Sequence, residues 1–127
     1  MKKKLLIVDD EPAIRLILRQ YFSAEFEVVL ASNGLEALQW LEDGNRADAI
    51  VADYQMPFMD GPTFIQKIRS HTQHRDTVLF ILSANEHTSS KIHCLKLGAD
   101  DYLVKPFSLE ELALRLKNML SRLRVAT

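Results

Sequence analysis

A single cysteine, Cys94, excludes an internal disulfide and suits a reducing compartment, where it is read as a small core filler rather than a reactive thiol. Long apolar runs are missing as well. Lys2-Lys3-Lys4 followed by Leu5-Leu6-Ile7-Val8 imitates the opening of a signal peptide, but the run stops at Asp9-Asp10-Glu11, far short of a secretory core or a bilayer span. The expectation is a cytoplasmic chain with no membrane partner. An excess of either charge is absent too: 16 basic against 17 acidic residues give a net charge of -1, so there is no electrostatic footprint for direct nucleic-acid binding. No low-complexity tract, linker or repeat divides the 127 residues, and 47% hydrophobic content is enough for one globular domain spanning 1–127.

What is present is a strict alternation. Apolar runs at 5–8, 28–31, 49–52, 78–82 and 102–104 are short and rich in Val, Ile, Leu and aromatics. They mostly do not alternate with polar residues, as expected of strands covered on both faces. Five amphipathic stretches follow them. The first, 12–22, has Pro12 in a first turn that tolerates proline and is expected to bury Ile14, Ile17, Leu18 and Tyr21. The second opens at Asn33 with Glu36 as capping-box partner and runs through Leu35, Leu38 and Leu41 to Gly44. The third follows Gly61-Pro62 and buries Phe64, Ile65 and Ile68. The fourth covers roughly 86–97 and stops at Gly98; the fifth starts at Ser108 with Glu111. Five βα repeats with short connections predict an α/β fold, a flavodoxin-like (βα)5 doubly wound parallel sheet of order 2-1-3-4-5.

In such a sheet ligands bind outside the carboxyl ends of the strands at the switch point, here between strands 1 and 3. Asp9 and Asp10, Asp53, Ser83 and Lys105 each follow one of those strand ends. Three carboxylates, a hydroxyl and an ammonium are the parts needed to hold a divalent metal and a phosphoryl group together. At ~4 Å and an effective dielectric near 20 each carboxylate pair repels by roughly 4 kcal/mol, which a divalent cation removes. Oxygen-only ligands favour Mg²⁺, with Mn²⁺ able to substitute. Asp10 is also a candidate N-cap for the first helix. His71 and His74 lie three apart but have no third metal ligand nearby in sequence, and His87 and His93 belong to no hydrolase motif.

Val8-Asp9-Asp10-Glu11, Asp53-Tyr54-Gln55-Met56-Pro57-Phe58-Met59-Asp60-Gly61, Ser83-Ala84, Gly98-Ala99-Asp100-Asp101-Tyr102 and Lys105-Pro106-Phe107 together resemble the receiver domains of two-component response regulators. The resemblance covers essentially the whole chain. It implies that Asp53 is the phosphoacceptor, that Asp9, Asp10, Asp53 and the main-chain carbonyl of Gln55 bind the metal, and that Lys105 and Ser83 contact the phosphoryl oxygens. It further implies a cis Lys105-Pro106 bond and a switch in which Tyr102 turns inward as Ser83 moves. Gln55 and Asn85 are expected to influence how fast water removes the phosphoryl group. The implied partner is a sensor histidine kinase or phosphotransfer protein, and the implied role is a signalling switch rather than an enzyme acting on a separate substrate.

Similarity to receivers attached to winged-helix DNA-binding domains implies a homodimer through helix 4, strand 5 and helix 5. Lys91 would pair with Glu111, Asp101 with Arg115 and Asp100 with Arg122 across a two-fold axis. Lys96 and Lys117 depart from that pattern, and the alternative for all these charges is a solvated surface. The end at Arg124-Val125-Ala126-Thr127 fits a stand-alone receiver or, slightly preferred, the receiver half of a longer regulator. Two other readings remain: a Mg²⁺-dependent aspartyl-phosphate phosphatase, although Gln55 stands where such enzymes carry a second acid, and a nucleotide- or flavin-binding module, although Asp9-Asp10-Glu11-Pro12 would repel phosphate where a glycine-rich loop is required.

Overall fold

The computed structural model describes residues 2–84 and 87–126, apart from the side chains of 123–126. The chain alternates β1 (Lys3–Val8), α1 (Pro12–Phe22), β2 (Phe26–Ala31), α2 (Gly34–Glu42), β3 (Ala49–Asp53), α3 (Gly61–Ser70), β4 (Val78–Ser83), α4 (Thr88–Leu97), β5 (Asp101–Val104) and α5 (Leu109–Ala126). The strands form one parallel sheet in the expected order β2-β1-β3-β4-β5. No helix among the described residues is long and apolar enough to cross a membrane.

The continuous apolar runs are explained by two cores, one on each face of the sheet. Leu5, Ile7, Val51, Phe80 and Leu82 point toward α1 and α5, where Leu18, Phe22, Leu112 and Leu116 meet them. Leu6, Val8, Ile50, Leu79 and Ile81 point toward α2, α3 and α4, against Leu41, Phe64, Ile65, Ile68 and Cys94. Successive strand residues therefore serve opposite cores, and no position of β3 or β4 faces water.

The buried face of α1 is rotated from the expected one, and in α2 one of the three leucines lies outside the buried face. In α1 the buried residues are Leu18 and Phe22, with Ile14 packed beside them, whereas Ile17 and Tyr21 are 50% and 42% exposed. Phe22 wins the inward position because its ring sits edge-on against Phe26 at 5.9 Å, joining the helix to β2. In α2, Gly34, Ala37 and Leu41 line the sheet, and Leu35 is 52% exposed. Gly34 has to be small, since a Cβ there would lie 3.1 Å from the Met59 sulfur and 3.3 Å from the Phe64 ring.

The caps are also specific. Asn33 accepts from the Glu36 amide at 2.8 Å, but the Glu36 carboxylate reaches back to the amide and hydroxyl of Ser32, both at 3.0 Å, one residue before the expected box partner. Ser108 accepts from the Glu111 amide at 3.2 Å. The N-cap of α1 is Glu11 without a side-chain bond, so Asp10 is not the cap proposed for it. Gly98 closes α4 at φ 119°, a left-handed position that an L side chain rarely adopts. Residues 85 and 86, where the fourth helix was expected to begin, lie outside the described residues.

Candidate phosphoryl-transfer site

The sheet register assembles the site. Val8 pairs with Ala52, Asp53 with Leu82, and Ser83 with Val104, so Asp9, Asp53, Ser83 and Lys105 stand in a row at one edge although nearly a hundred residues of chain separate them. Main-chain bonds extend the register past the strand ends: the Asp9 amide donates to Ala31, the Tyr54 amide to Leu82 and the Lys105 amide to Ser83. Beyond them opens a cleft of about 840 Å³ lined by Asp10, Glu11, Asp53, Tyr54, Gln55, Met56, Pro57, Asp60, Ser83 and Ala84.

Asp53, Asp9 and Ser83 are buried, and Asp10 is exposed at the rim. Lys105 Nζ lies 3.2 Å from Asp53 Oδ1 and 3.8 Å from Asp9 Oδ2, carried by a loop whose Lys105-Pro106 bond is cis, as the resemblance implied. Burial raises the Asp53 carboxyl to about 6, against the downward pull of Lys105 and with further upward pressure from Asp9. Burial likewise raises Asp9, while the Glu11 amide that donates to its Oδ1 at 2.9 Å works the other way.

Carboxylate oxygens of Asp9, Asp10 and Asp53 lie within 4.8 Å of one another, the one such group of potential metal ligands among the described residues. At that separation each ionised pair repels by roughly 3 kcal/mol at an effective dielectric near 20. One lysine leaves a net double negative charge. Asp9 Oδ2 is buried with no hydrogen-bond partner, so the donor set fits a divalent cation in charge, in hard oxygen chemistry and in having a buried lone pair to offer it.

Tyr102 is buried at 4% exposure, edge-on to Tyr54 at 6.2 Å between ring centres. Its phenol is raised by burial, an effect that a hydrogen bond with Ser83 opposes. The ring expected to turn inward on activation is thus already inward and already joined to Ser83. Gln55 is exposed on the cleft wall, and Asn85 lies outside the described residues.

Asp60 and Gly61, which the sequence offered only as part of the motif after Asp53, and Arg69, which it did not single out, complete the surroundings. Asp60 caps α3 by accepting from the Thr63 amide at 2.9 Å, which holds its carboxyl below the usual range. Gly61 lets the loop after β3 close, because its amide donates to the Tyr54 carbonyl at 2.8 Å and a Cβ would come within 3.1 Å of the Tyr54 backbone. Arg69, on α3, donates to Gly98, Arg75 and Thr77 carbonyls and to Asp100.

The residues assigned to a dimer face are largely engaged within the chain. Arg115 pairs with Asp101 at 3.0 Å and with Glu111 at 2.9 Å, and Asp100 is held by Arg69 at 3.0 Å and by the Leu79 amide at 2.9 Å. Lys91 borders the same shallow groove as Asp101, Glu111 and Arg115; Arg122 is exposed on α5. Lys117 pairs with Glu25 at 2.6 Å, at the turn between α1 and β2, so it points away from a face shared with Lys96. Away from the site, the His71 and His74 rings stack 4.5 Å apart with no third ligand among the described residues, and burial pushes the Cys94 thiol up to about 11.

An open parallel sheet that presents buried carboxylates, a hydroxyl and a lysine at its switch point belongs to the class of phosphoryl-controlled signalling domains. The chain is a member of the response regulator receiver domain family, which matches residues 5–117. The transcriptional regulatory protein SrrA of Staphylococcus aureus is 41% identical over 128 residues, covering 100% of this chain and 52% of that protein. The chain therefore spans about half the length of the curated relatives it matches. Among solved structures, the receiver domain of the Francisella response regulator 1452 superposes with a TM-score of 0.87 at 37% identity, over 95% of this chain and 98% of that one. The magnesium-bound receiver domain of the sensor histidine kinase PA1611 from Pseudomonas aeruginosa superposes at 0.85 with 29% identity, over 95% and 99%. This membership displaces the phosphatase and nucleotide-binding readings.

Proposed function

We propose that Asp53 accepts a phosphoryl group from a histidine kinase or phosphotransfer protein and that residues 1–127 act as one receiver domain. The observation that carries this reading is the row of Asp9, Asp53, Ser83 and Lys105, with the Lys105 ammonium 3.2 Å from the acceptor carboxylate at the floor of the cleft. A lone pair of the Asp53 carboxylate attacks phosphorus, and the P–N bond of the phosphohistidine breaks with its electrons going to nitrogen. The imidazole, taking up a proton, leaves neutral, and Asp53 becomes an acyl phosphate. Lys105 and the Ser83 hydroxyl receive the phosphoryl oxygens, placing fixed donors where charge develops. Asp9, Asp10, Asp53 and the Gln55 carbonyl would hold Mg²⁺, or Mn²⁺ with the same oxygen ligands; when bound, the ion neutralises carboxylate and phosphoryl charge.

In this reading the domain is a cytoplasmic signalling switch with its output through α4, β5 and α5. Tyr102 and Ser83 link the phosphoryl site to β5, and a homodimer there would draw on Lys91, Glu111, Asp101, Arg115 and Arg122 once the internal Arg115 pairs rearrange. Exposed pairs contribute about 0–1 kcal/mol each, so such a dimer would be weak and salt-sensitive.

Acetyl phosphate with millimolar Mg²⁺ should place one phosphoryl group on the chain, on Asp53 by mass spectrometry of the intact protein and its peptides, and Asp53→Asn should abolish it. A serine or histidine adduct would overturn the assignment. Lys105→Ala should leave the fold intact, since Lys105 sits half-buried at a loop, but should uncouple phosphorylation from β5 and α4. Amide hydrogen exchange of those two elements, measured before and after phosphorylation, should change in the parent and stay unchanged in the variant.

A further inference from the structure

Phe58 is the least economical residue of the chain. Its φ of 72° puts a bulky side chain in the left-handed region, where glycine or asparagine sits at much lower cost. The conformation is imposed by its neighbours, because the loop is closed on either side by the Gly61 amide on the Tyr54 carbonyl and the Asp60 cap on Thr63. Packing returns nothing for that strain. The ring is 79% exposed and belongs to neither core, whereas Met56 and Met59 of the same loop both pack against the α2/α3/α4 core. A strained residue at a functional loop points to a role outside the chain's own stability.

Its position names the partner. Met56 and Pro57, immediately before it, line the cleft over Asp53, so a molecule delivering a phosphoryl group to that buried carboxylate passes beside this loop. Lys105 and a bound cation attract the phosphoryl group itself, but the exposed carboxylates at the cleft rim, Asp10, Glu11 and Asp60, give the protein that carries it no positive surface to rest on. Apolar contact has to supply the holding energy, and an exposed aromatic side chain is the efficient way to supply it at one point.

We propose that Phe58 is a specificity-determining residue for phosphoryl transfer, inserting into an apolar recess beside the phosphohistidine of a protein donor. This rests on the phosphoacceptor reading of Asp53. Phe58 touches the donor protein and takes no part in bond making, so its contribution separates from the chemistry by donor size: phosphoramidate offers the same P–N bond with no surface to grip.

The test compares the parent with Phe58→Asn, which tolerates the left-handed backbone, and with Phe58→Trp, which keeps an aromatic anchor. Two donors are used: phosphoramidate, and a radiolabelled histidine-phosphotransfer protein selected because it phosphorylates the parent. With phosphoramidate all three should react at rates within about twofold, and Phe58→Asn should melt no lower than the parent. With the protein donor Phe58→Asn should lose roughly tenfold or more in kcat/KM, carried by KM, the size expected of one aromatic anchor, and Phe58→Trp should recover most of it. Unchanged transfer from the protein donor to Phe58→Asn overturns the proposal. So does an equal slowing with both donors, which would make the residue a shaper of the cleft, or a loss confined to self-association in sedimentation, which would make the partner a second copy. Failure of the parent to react with phosphoramidate overturns the phosphoacceptor reading instead.

Discussion

Asp53→Asn in metal-free buffer at pH 7 melts at a higher temperature than the parent, by roughly 3–10 °C. The Asp53 carboxyl is pushed up to about 6 in the folded chain against an ordinary 3.8, chiefly because it is buried. Folding thus favours the protonated form. Below about pH 4 the group is protonated in both states and costs nothing. As pH rises through 4 to 6 the unfolded chain ionises first, and above 6 the folded chain carries the full penalty, about 3 kcal/mol at about 1.4 kcal/mol per pH unit. The asparagine keeps the volume and removes the charge, but Lys105 loses a partner, so a net gain of about 1–2 kcal/mol is expected, or some 3–5 °C per kcal/mol for a chain of this size. Differential scanning calorimetry from pH 4 to 8 should show the gap open between pH 4 and 6 and vanish at the acid end. A gap independent of pH would remove the carboxylate repulsion as its cause. Millimolar Mg²⁺ should narrow it from the parent's side, because only the folded chain gathers the oxygens of Asp9, Asp10 and Asp53 that such an ion would need.

His74 adds a slope of opposite sign. It is buried, and burial together with His71 and Arg46 holds its imidazole below 6.5, so the unfolded chain takes up a proton that the folded chain refuses. Its contribution is complete above pH 6.5 and is lost as pH falls. In the parent the two trends oppose each other near pH 6. In Asp53→Asn the raised Asp9 carboxyl still opposes His74, so stability should fall less steeply with pH across that interval than in the parent.

The fold and the row of site residues were legible from the chain because both follow from strand ends. Doubly buried strands read as unbroken apolar runs, and a carboxylate, hydroxyl or lysine immediately after one has only the switch-point edge to occupy. Helical faces were less legible. Ile17 and Phe22 of α1, or Leu35 and Ala37 of α2, fit the same period, and the choice between them depends on Phe26 and Met59, contributed by other elements. The strain at Phe58 has no sequence signature at all, since the pattern of the loop names the residues around it and not its backbone angle. The charged surface was only partly legible: a charge pattern says which residues carry charge, and nothing about which of them find partners inside the chain, as Arg115 does in Asp101 and Glu111.

Arg69 is the clearest case of that last point, and Arg69→Ala should be the most damaging surface substitution, lowering stability by about 3 kcal/mol and melting by roughly 10 °C. The guanidinium donates through Nε to the Gly98 carbonyl at 2.8 Å, through one terminal nitrogen to Arg75 and Thr77 at 2.9 and 2.6 Å, and through the other to Asp100 at 3.0 Å. One side chain thereby ties α3, the turn before β4 and the turn that ends α4. Its stem also lies where Gly98 has no Cβ, at 2.9 Å from where one would stand. The alanine leaves carbonyls and a partly buried carboxylate without their charged donor, at about 1.5–3 kcal/mol for each charge-assisted bond before water compensates. Asp100→Asn should cost much less, because an amide oxygen still accepts from the Leu79 amide that Asp100 holds at 2.9 Å. Urea denaturation at several protein concentrations separates this clasp from an interface. A loss that is the same at low and high concentration assigns Asp100 to the fold, whereas one that appears only where the chain associates returns Asp100 to a pairing with Arg122 across a dimer.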